Sequence, residues 1–130
     1  MLNVRGYIFS RSFFNERVPQ HIQNIVIRDF CKKNNLNYNL SLVEYAMKGS
    51  YTMFNQLVNE IDSFDGVVLY SLFQLPESNE VRNILCKKML KKNKKIYFAT
   101  EIRVIRSLFE LEKVDIIWKL KKKIPEKFIY

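Results

Sequence analysis

The chain has 130 residues, a formal net charge of +9 and a hydrophobic content of 48%. These values fit one globular domain and exclude a disordered or collagen-like chain. No apolar run approaches the roughly 20 residues that a membrane-spanning helix needs, and the N-terminus lacks the pattern of a secretory signal peptide. We therefore expect a cytoplasmic protein.

Strands and helices are predicted to alternate along the chain. Short apolar runs predict four strands, over 4–10, 38–45, 66–72 and 95–99. Helical spacing of apolar residues predicts three helices, over 19–34, 51–62 and 76–92. Ser50 is the expected N-cap of the second helix, and Pro76 is the expected first residue of the third. A short helix over 102–112 and a last strand over 115–120 are expected after the fourth strand.

This alternation predicts a three-layer α/β fold. Each strand–helix–strand unit implies a right-handed crossover between parallel strands. We expect a mainly parallel sheet with the flavodoxin-like strand order 2-1-3-4. Residues 1–120 are predicted to form a single domain, followed by a basic C-terminal tail over residues 121–130.

Positive charge is concentrated in the C-terminal third, since residues 82–130 carry fifteen Lys/Arg and five Asp/Glu. Such a region is able to attract nucleic acid, an anionic membrane or another protein. The lysines within 81–95 alternate with apolar residues at helical spacing, which favours a solvated helix face. Cys31 and Cys86 lie in predicted helices without metal-ligand spacing, so we expect free thiols and no metal site. The sequence has no P-loop or GxGxxG motif, and we expect no cofactor.

Polar residues follow the carboxyl ends of all four predicted strands, whereas the opposite ends carry plain turn sequences such as "NNLN" and "SFDG". In an open parallel sheet, ligands bind outside the carboxyl ends of the strands. The sequence therefore predicts a ligand site at this edge. Its expected residues are Ser10, Arg11, Glu44, Tyr45, Ser71, Gln74, Glu77 and Glu101.

The segment "SRSFFNERVPQHIQN" (10–24) places further polar residues at the start of the first helix. A helix N-terminus has free N–H groups and a partial positive charge, so it favours an anion such as phosphate or carboxylate. Along one stripe of this helix lie Arg17, Gln20, His21, Asn24 and Arg28. We expect this stripe to form one wall of the anion site.

Three residues are candidates for chemistry at this site. His21 beside the arginines and across from Glu44 is a candidate general acid or base. Ser10 at the end of the first strand is a candidate nucleophile, and the alternative for it is a hydrogen-bonding or capping role.

Several uncommon stretches resemble a small bacterial family known by the name "sporadic carbohydrate cluster protein", over nearly the full length of the chain. The matching stretches are "RGYIFSRSF", "ERVPQHIQNIVIRDFC", "EYAM", "DGVVLYSLFQLPES" and "FATE". The resemblance implies genes for surface carbohydrates as genomic neighbours. It thus implies a role in lipopolysaccharide, capsule or exopolysaccharide synthesis, without naming a reaction.

A remoter resemblance is to the catalytic domain of serine recombinases. That domain has a nucleophilic serine and an arginine at the end of its first strand, a glutamine in its first helix, and two arginines after its third strand. Aligned on Gly6 and Tyr7, the positions here are Arg11 for the serine, Phe9 for the first arginine, Gln23 for the glutamine, and Gln74 and Glu77 for the two arginines. Ser10 or Ser12 matches the nucleophile only after a shift of one residue. The resemblance implies the fold and the location of the site, and the missing arginines argue against DNA strand exchange.

Three functions are consistent with the sequence. The first is binding, or conversion, of a phosphorylated or nucleotide-activated sugar at the carboxyl edge of the sheet. Arginines would bind the anionic group, and carboxylates would accept hydrogen bonds from the sugar hydroxyls. The second is a non-catalytic partner of a carbohydrate-biosynthetic enzyme, with Phe13, Phe14 and the segment 118–130 as contact surface. The third, less favoured, is nucleic-acid binding. Eighteen aromatic residues and an apolar tail after Trp118 predict a homodimer.

Overall fold

The computed structural model describes residues 1–14 and 17–123, and in this part of the chain strands and helices alternate as their periodicity predicts. The strands are β1 (Leu2–Phe9), β2 (Leu36–Glu44), β3 (Gly66–Leu69), β4 (Lys95–Phe98) and β5 (Arg103–Ile105). The helices are α1 (Gln20–Lys33), α2 (Thr52–Asn59), α3 (Asn79–Lys91) and α4 (Leu108–Lys123). Short 3-10 turns cover Ile61–Ser63 and Leu72–Gln74.

The sheet has the order β2-β1-β3-β4-β5. Its first four strands are parallel, and β5 pairs antiparallel with β4. The predicted α/β class and the predicted order of the first four strands are therefore confirmed. The order also explains the three layers. The chain crosses from β1 to β2 in one direction along the sheet and makes its later crossovers in the other direction, so right-handed connections place α1 on one face and α2 and α3 on the opposite face. The last helix, α4, packs on the same face as α2 and α3.

Two hydrophobic clusters fill the space between these layers. The larger cluster joins α2, α3 and α4 to the sheet, and its members include Phe54, Cys86 and Trp118. The smaller cluster lies under α1 and includes Ile27 and Phe30. Trp118 is 1% exposed and its indole N–H donates to the Leu72 carbonyl at 3.1 Å. It belongs to the core, so it cannot be part of the contact surface expected from residue 118 onward.

The predicted helix over 102–112 and the predicted strand over 115–120 are wrong. A three-residue strand, Arg103–Ile105, follows β4 directly, and the remainder forms one helix, Leu108–Lys123. Leu111, Val114 and Trp118 are its buried residues, at the spacing of a helix face. This packing overrides the strand propensity of "DIIWKL". Residues 121–123 of the predicted tail belong to α4, and 124–130 lie outside the described residues.

The helix starts differ from the sequence-based expectation in two places. The second helix begins at Thr52 and ends at Asn59. Its N-cap residue is Tyr51, whose side chain makes no capping hydrogen bond. The third begins at Asn79, and the Ser78 hydroxyl caps it by accepting from the Val81 N–H at 3.3 Å. Neither Ser50 nor Pro76 therefore has the predicted position at a helix start.

The cysteines and the lysines have the predicted environments. Cys31 and Cys86 are buried free thiols, and burial raises their pKa values to about 11 and about 12. On α3 the exposed cations include Lys87, Lys88 and Lys91, which confirms the solvated lysine face. Among the helices of residues 1–14 and 17–123, none has the length and apolar character needed to cross a bilayer.

Candidate functional site

Two adjacent clefts open at the carboxyl edge of the sheet. The larger cleft has a volume of about 590 Å³ and lies between the loops that follow β1, β2 and β3. The smaller cleft, of about 260 Å³, lies between the loops that follow β1, β3 and β4, with the end of α4 beside it. Both are lined by Phe13, Phe14 and Phe73, which we call the aromatic ridge. A cleft at this edge is where the polar strand ends predict one.

Arg11 is fixed in the larger cleft by three neighbours. Its guanidinium carbon lies 4.2 Å from the centre of the Phe9 ring and 5.2 Å from that of Tyr51. Its Nη1 donates to the Tyr45 carbonyl at 2.9 Å. A cation–π contact consumes no N–H donor, and a guanidinium has five donors. One of the five donates to the Tyr45 carbonyl, and the Tyr51 hydroxyl accepts another. Arg11 therefore keeps donors for an anion in the cleft.

The charged residues of the larger cleft favour a negative ligand. Arg11 and Lys48 are positive, and Glu77 is the negatively charged residue among the lining side chains that the structure describes. Tyr51 also lines the cleft, and burial raises its pKa, although the nearby Arg11 charge opposes this effect. Tyr51 thus remains a neutral phenol at physiological pH, which can donate a hydrogen bond to an anion.

Glu44 is not the solvent-accessible acid–base partner that the sequence predicts. It is 1% exposed, and its carboxylate accepts hydrogen bonds from the Tyr7 hydroxyl at 2.8 Å and from the Phe54 N–H at 3.1 Å. The backbone N–H groups of Tyr45 and Met53 donate to its second oxygen at 2.9 and 3.1 Å. Glu44 therefore caps the start of α2. Burial and the Glu44 charge together raise the pKa of Tyr7.

The polar stripe on α1 does not form a wall of either cleft. Arg17, Gln20, His21 and Arg28 are exposed, and none of them lines the two clefts. Asn24 accepts hydrogen bonds from Tyr38 and Ser41 of β2, each at 2.9 Å, and the Arg28 guanidinium lies 5.9 Å from the Tyr38 ring centre. The stripe runs towards the β2 edge because α1 buries Gln23, Ile27 and Phe30 against the sheet. His21 and Glu44 are therefore not brought together.

Ser10 has the hydrogen-bonding role that the sequence left open. Its hydroxyl donates to the backbone carbonyl of Glu44 at 2.9 Å and thereby ties the end of β1 to the end of β2. Tyr45 contributes its carbonyl to Arg11, while its side chain is exposed and outside both clefts. Neither side chain is in a position to act on a ligand in the clefts.

The residues after β3 and β4 are divided between the clefts. Glu77 lines the larger cleft, and Ser71 and Glu101 line the smaller one. The Ser71 hydroxyl donates to Glu101 at 2.8 Å and accepts from the Phe73 N–H at 3.2 Å. Gln74 is fully buried, and its amide oxygen accepts a hydrogen bond from the Ser71 N–H. Gln74 is therefore a support for the loop and not a ligand-binding residue.

Gln23, the residue that aligns with the first-helix glutamine in the resemblance to serine recombinases, supports this edge. Its amide accepts from the Phe9 N–H at 3.1 Å and donates to the Phe9 and Val18 carbonyls, both at 2.8 Å. It also accepts from the Gln74 amide at 2.8 Å. One sequence signal was available, because Gln23 is a polar residue at helical spacing from Ile27 and Phe30 on the buried face of α1.

The aromatic ridge and two lysines were also not among the predicted site residues. Phe14 has a backbone φ of 47°, in the left-handed region that a bulky residue seldom adopts. Lys48 lines the larger cleft and Lys121 lines the smaller. The adjacent phenylalanines in an otherwise polar loop were the available signal for the ridge. Within the described ranges, no group of three or more His, Cys, Asp or Glu side chains is arranged to hold a metal ion.

Comparisons with known proteins identify the fold. No family model matches the chain, and no curated protein matches it in sequence. Among solved structures, the N-terminal catalytic domain of TP901-1 integrase matches with a TM-score of 0.65 and 17% identity, covering 91% of this chain and 94% of that one. A resolvase-family site-specific recombinase from Streptococcus pneumoniae matches with a TM-score of 0.64 and 10% identity, covering 92% and 89%. The chain thus has a resolvase-like fold.

Proposed function

We propose that the larger cleft binds the anionic group of a phosphorylated or nucleotide-activated sugar. The observation that carries the proposal is the position of Arg11, which lies between two aromatic rings and keeps free N–H donors in a concave site. A guanidinium matches the geometry of phosphate oxygens, and a charge-assisted hydrogen bond is stronger than a neutral one. Lys48 adds a second positive charge.

The resemblance to the sporadic carbohydrate cluster family supports the sugar part of the proposal. It suggests a role in the synthesis of lipopolysaccharide, capsule or exopolysaccharide. Two buried free thiols, Cys31 and Cys86, are compatible with a reducing compartment, and we place the protein in the cytoplasm on that basis. The proposal concerns binding and names no reaction, because His21, Glu44 and Ser10 are not grouped around either cleft.

The alternative is a non-catalytic partner of a carbohydrate-biosynthetic enzyme. A flat arrangement of the polar residues would favour this alternative, and the α1 stripe is indeed outside the clefts. Arg11 and Glu77, in contrast, share one concave cleft, which favours a small ligand. Nucleic-acid binding is less favoured, since the exposed cations of α3 are lysines without the interleaved aromatic residues of a stacking surface.

Arg11→Ala is expected to weaken binding of an anionic sugar ten- to hundred-fold, because a charge-assisted hydrogen bond contributes roughly 1.5–3 kcal/mol. The measurement is isothermal titration calorimetry with a panel of sugar 1-phosphates and nucleotide sugars. Thermal unfolding of the variant without ligand checks that the fold is intact.

Arg17→Ala is the matched control, since it removes the same charge from an exposed position outside the cleft. It should bind like the original protein. If Arg17→Ala loses binding and Arg11→Ala retains it, the anion site lies at the start of α1 and the larger cleft is not the site.

We also propose that the protein is a homodimer, and the outer face of α4 is the best candidate for the interface. Phe109, Ile116 and Leu120 are 64%, 57% and 58% exposed on the face opposite the buried Leu111 and Trp118. Exposed apolar residues that share one helix face are common at protein interfaces. An antiparallel pairing of α4 with a second copy would place Phe109 of each chain beside Leu120 of the other.

Antiparallel pairing of α4 relates the two copies by a two-fold axis. The charged residues beside the apolar stripe are complementary across that axis. Glu112 lies in the first half of α4 and Lys119 in the second half, on one side of the stripe. Antiparallel pairing brings Glu112 of each copy near Lys119 of the other, so the two pairs are equivalent, as a two-fold interface requires.

Light scattering coupled to size exclusion is expected to give a dimer mass at micromolar concentration and a monomer mass for Ile116→Lys. Glu112→Lys alone should weaken the dimer, and the exchanged pair Glu112→Lys/Lys119→Glu should restore it. A monomer mass for the unchanged protein would rule out the dimer. Unchanged dimerisation of Ile116→Lys would assign the interface to another surface.

A further inference from the structure

We propose that the two clefts bind the two ends of one nucleoside diphosphate sugar, with the nucleotide in the larger cleft and the sugar ring in the smaller. This inference rests on the proposed function and narrows its ligand class. It depends on three observations: the clefts are separated by a supported aromatic ridge, they differ in charge, and they differ in volume.

The aromatic ridge packs against the hydrophobic core. The ring centres of Phe14 and Phe73 are 5.2 Å apart, and they lie 5.1 and 5.4 Å from the centre of the buried Trp118 ring. This packing also accounts for the left-handed backbone of Phe14, which persists only where surrounding contacts fix it. A ligand that reaches both clefts must therefore cross a fixed apolar surface.

The smaller cleft is lined by one negative and one positive side chain. The Glu101 carboxylate is oriented by the Ser71 hydroxyl at 2.8 Å and the Leu72 N–H at 2.9 Å, one on each oxygen. Each oxygen retains the capacity to accept another hydrogen bond. The Lys121 ammonium lies 5.3 Å from the Phe73 ring centre and 5.6 Å from that of Phe14. Thr100 adds an exposed hydroxyl.

This composition fits a neutral ring with several hydroxyl groups better than a second phosphate. Sugar hydroxyls both donate and accept, so they can bond to the carboxylate and the ammonium together. The aromatic ridge supplies an apolar surface for the C–H face of the ring. A phosphate in the same place would approach the Glu101 carboxylate, and like charges at short range repel.

The larger cleft has the features expected for the nucleotide. Its lining carries two cations, Arg11 and Lys48, against one carboxylate, Glu77. Its volume of about 590 Å³ exceeds that of the smaller cleft, about 260 Å³, and leaves room for more than a phosphate group. Its lining includes the partly buried aromatic side chains of Tyr51 and Phe13, and aromatic side chains can stack on a nucleobase.

Calorimetric titration of Thr100→Val and Lys121→Met tests the inference. The probes are the diphosphates of uridine, guanosine and deoxythymidine, their hexose conjugates, and glucose 1-phosphate. Thr100→Val is expected to bind the preferred nucleotide sugar roughly 3- to 10-fold more weakly, through the loss of a neutral hydrogen bond, and Lys121→Met roughly ten- to hundred-fold more weakly, through the loss of a charge-assisted one. Both variants should bind the matching nucleoside diphosphate with unchanged affinity. Lys88→Met, on the exposed face of α3, is the matched control and should change neither.

Other outcomes overturn the inference. If Thr100→Val and Lys121→Met weaken the diphosphate and the nucleotide sugar equally, or weaken neither, the smaller cleft is not the sugar subsite. If glucose 1-phosphate binds through Arg11 and no nucleotide does, the proposed function stands and the nucleoside diphosphate sugar is the wrong ligand. If no probe binds the unchanged protein, both proposals fail.

Discussion

Glu44→Gln is expected to lower the free energy of unfolding by about 3 kcal/mol, because it leaves buried backbone donors without an acceptor. The carboxylate accepts from the N–H groups of Met53 and Phe54 at the start of α2, and from the Tyr7 hydroxyl. An amide of the same size presents an NH₂ group to at least one of these donors. The measurement is urea unfolding followed by circular dichroism.

Glu60→Gln is the matched control for Glu44→Gln, because Glu60 is an exposed glutamate at the other end of α2. Exposed side chains of this kind usually change stability by less than 0.5 kcal/mol, roughly, when replaced. The experiment also decides the role of Glu44. If Glu44→Gln keeps its stability and instead loses an activity, Glu44 is part of the chemistry and its cap on α2 is dispensable.

Arg82→Met is expected to cost about 3–5 kcal/mol, because it leaves the partners of a buried cation unpaired. Arg82 is 0% exposed and lies 2.8 Å from Asp115 of α4. It also donates to the Pro76 and Glu77 carbonyls at 2.9 and 3.2 Å, and to the Asn79 side chain. Its guanidinium lies 5.0 Å from the Trp118 ring centre. The same urea experiment measures the loss.

A double-mutant cycle with Asp115→Leu isolates the ion pair from the other contacts. We expect the double variant to be more stable than the sum of the single losses predicts, since no uncompensated charge remains buried. Arg28→Met, at an exposed position on α1, serves as the control for removing an arginine. Additive losses in the cycle would show that Arg82 acts through the loop carbonyls and Trp118, and that its pairing with Asp115 contributes nothing.

The parallel sheet was predictable because its strands are short apolar runs separated by helical patterns. The end of the chain was not, because Ile116 and Ile117 have high strand propensity in isolation. Their conformation is decided by the burial of Leu111, Val114 and Trp118 on one face of a helix. The helical spacing of these three residues is present in the sequence, but it competes there with the strand propensity of the isoleucines, and packing against the core decides between the two.

For the candidate site, two clefts lie at the sheet edge where the sequence predicts a ligand site, and the ligand itself stays a prediction, whereas several of the individual residue roles differ. Arg11, Glu77 and Glu101 line the clefts as their positions after the strands suggest. The prediction that the α1 stripe forms a wall of the site was wrong because helical spacing shows which residues share a helix face and does not show where that face points in the fold. The predicted acid–base role of Glu44 was wrong for a different reason. Its backbone hydrogen-bond donors come from residues 45–54, whose path around the carboxylate is a property of the folded loop.

The Gln23–Gln74 contact has a consequence for how this protein can diverge in evolution. The two amides are buried and complete each other's hydrogen bonds across 51 residues of sequence. An apolar residue at either position strands the amide of the other glutamine, and it also strands the backbone groups of Phe9, Val18 or Ser71 that the lost amide had satisfied. In distant homologues, positions 23 and 74 should therefore both stay polar. A lineage with only one of the two glutamines should carry a new polar neighbour in its place.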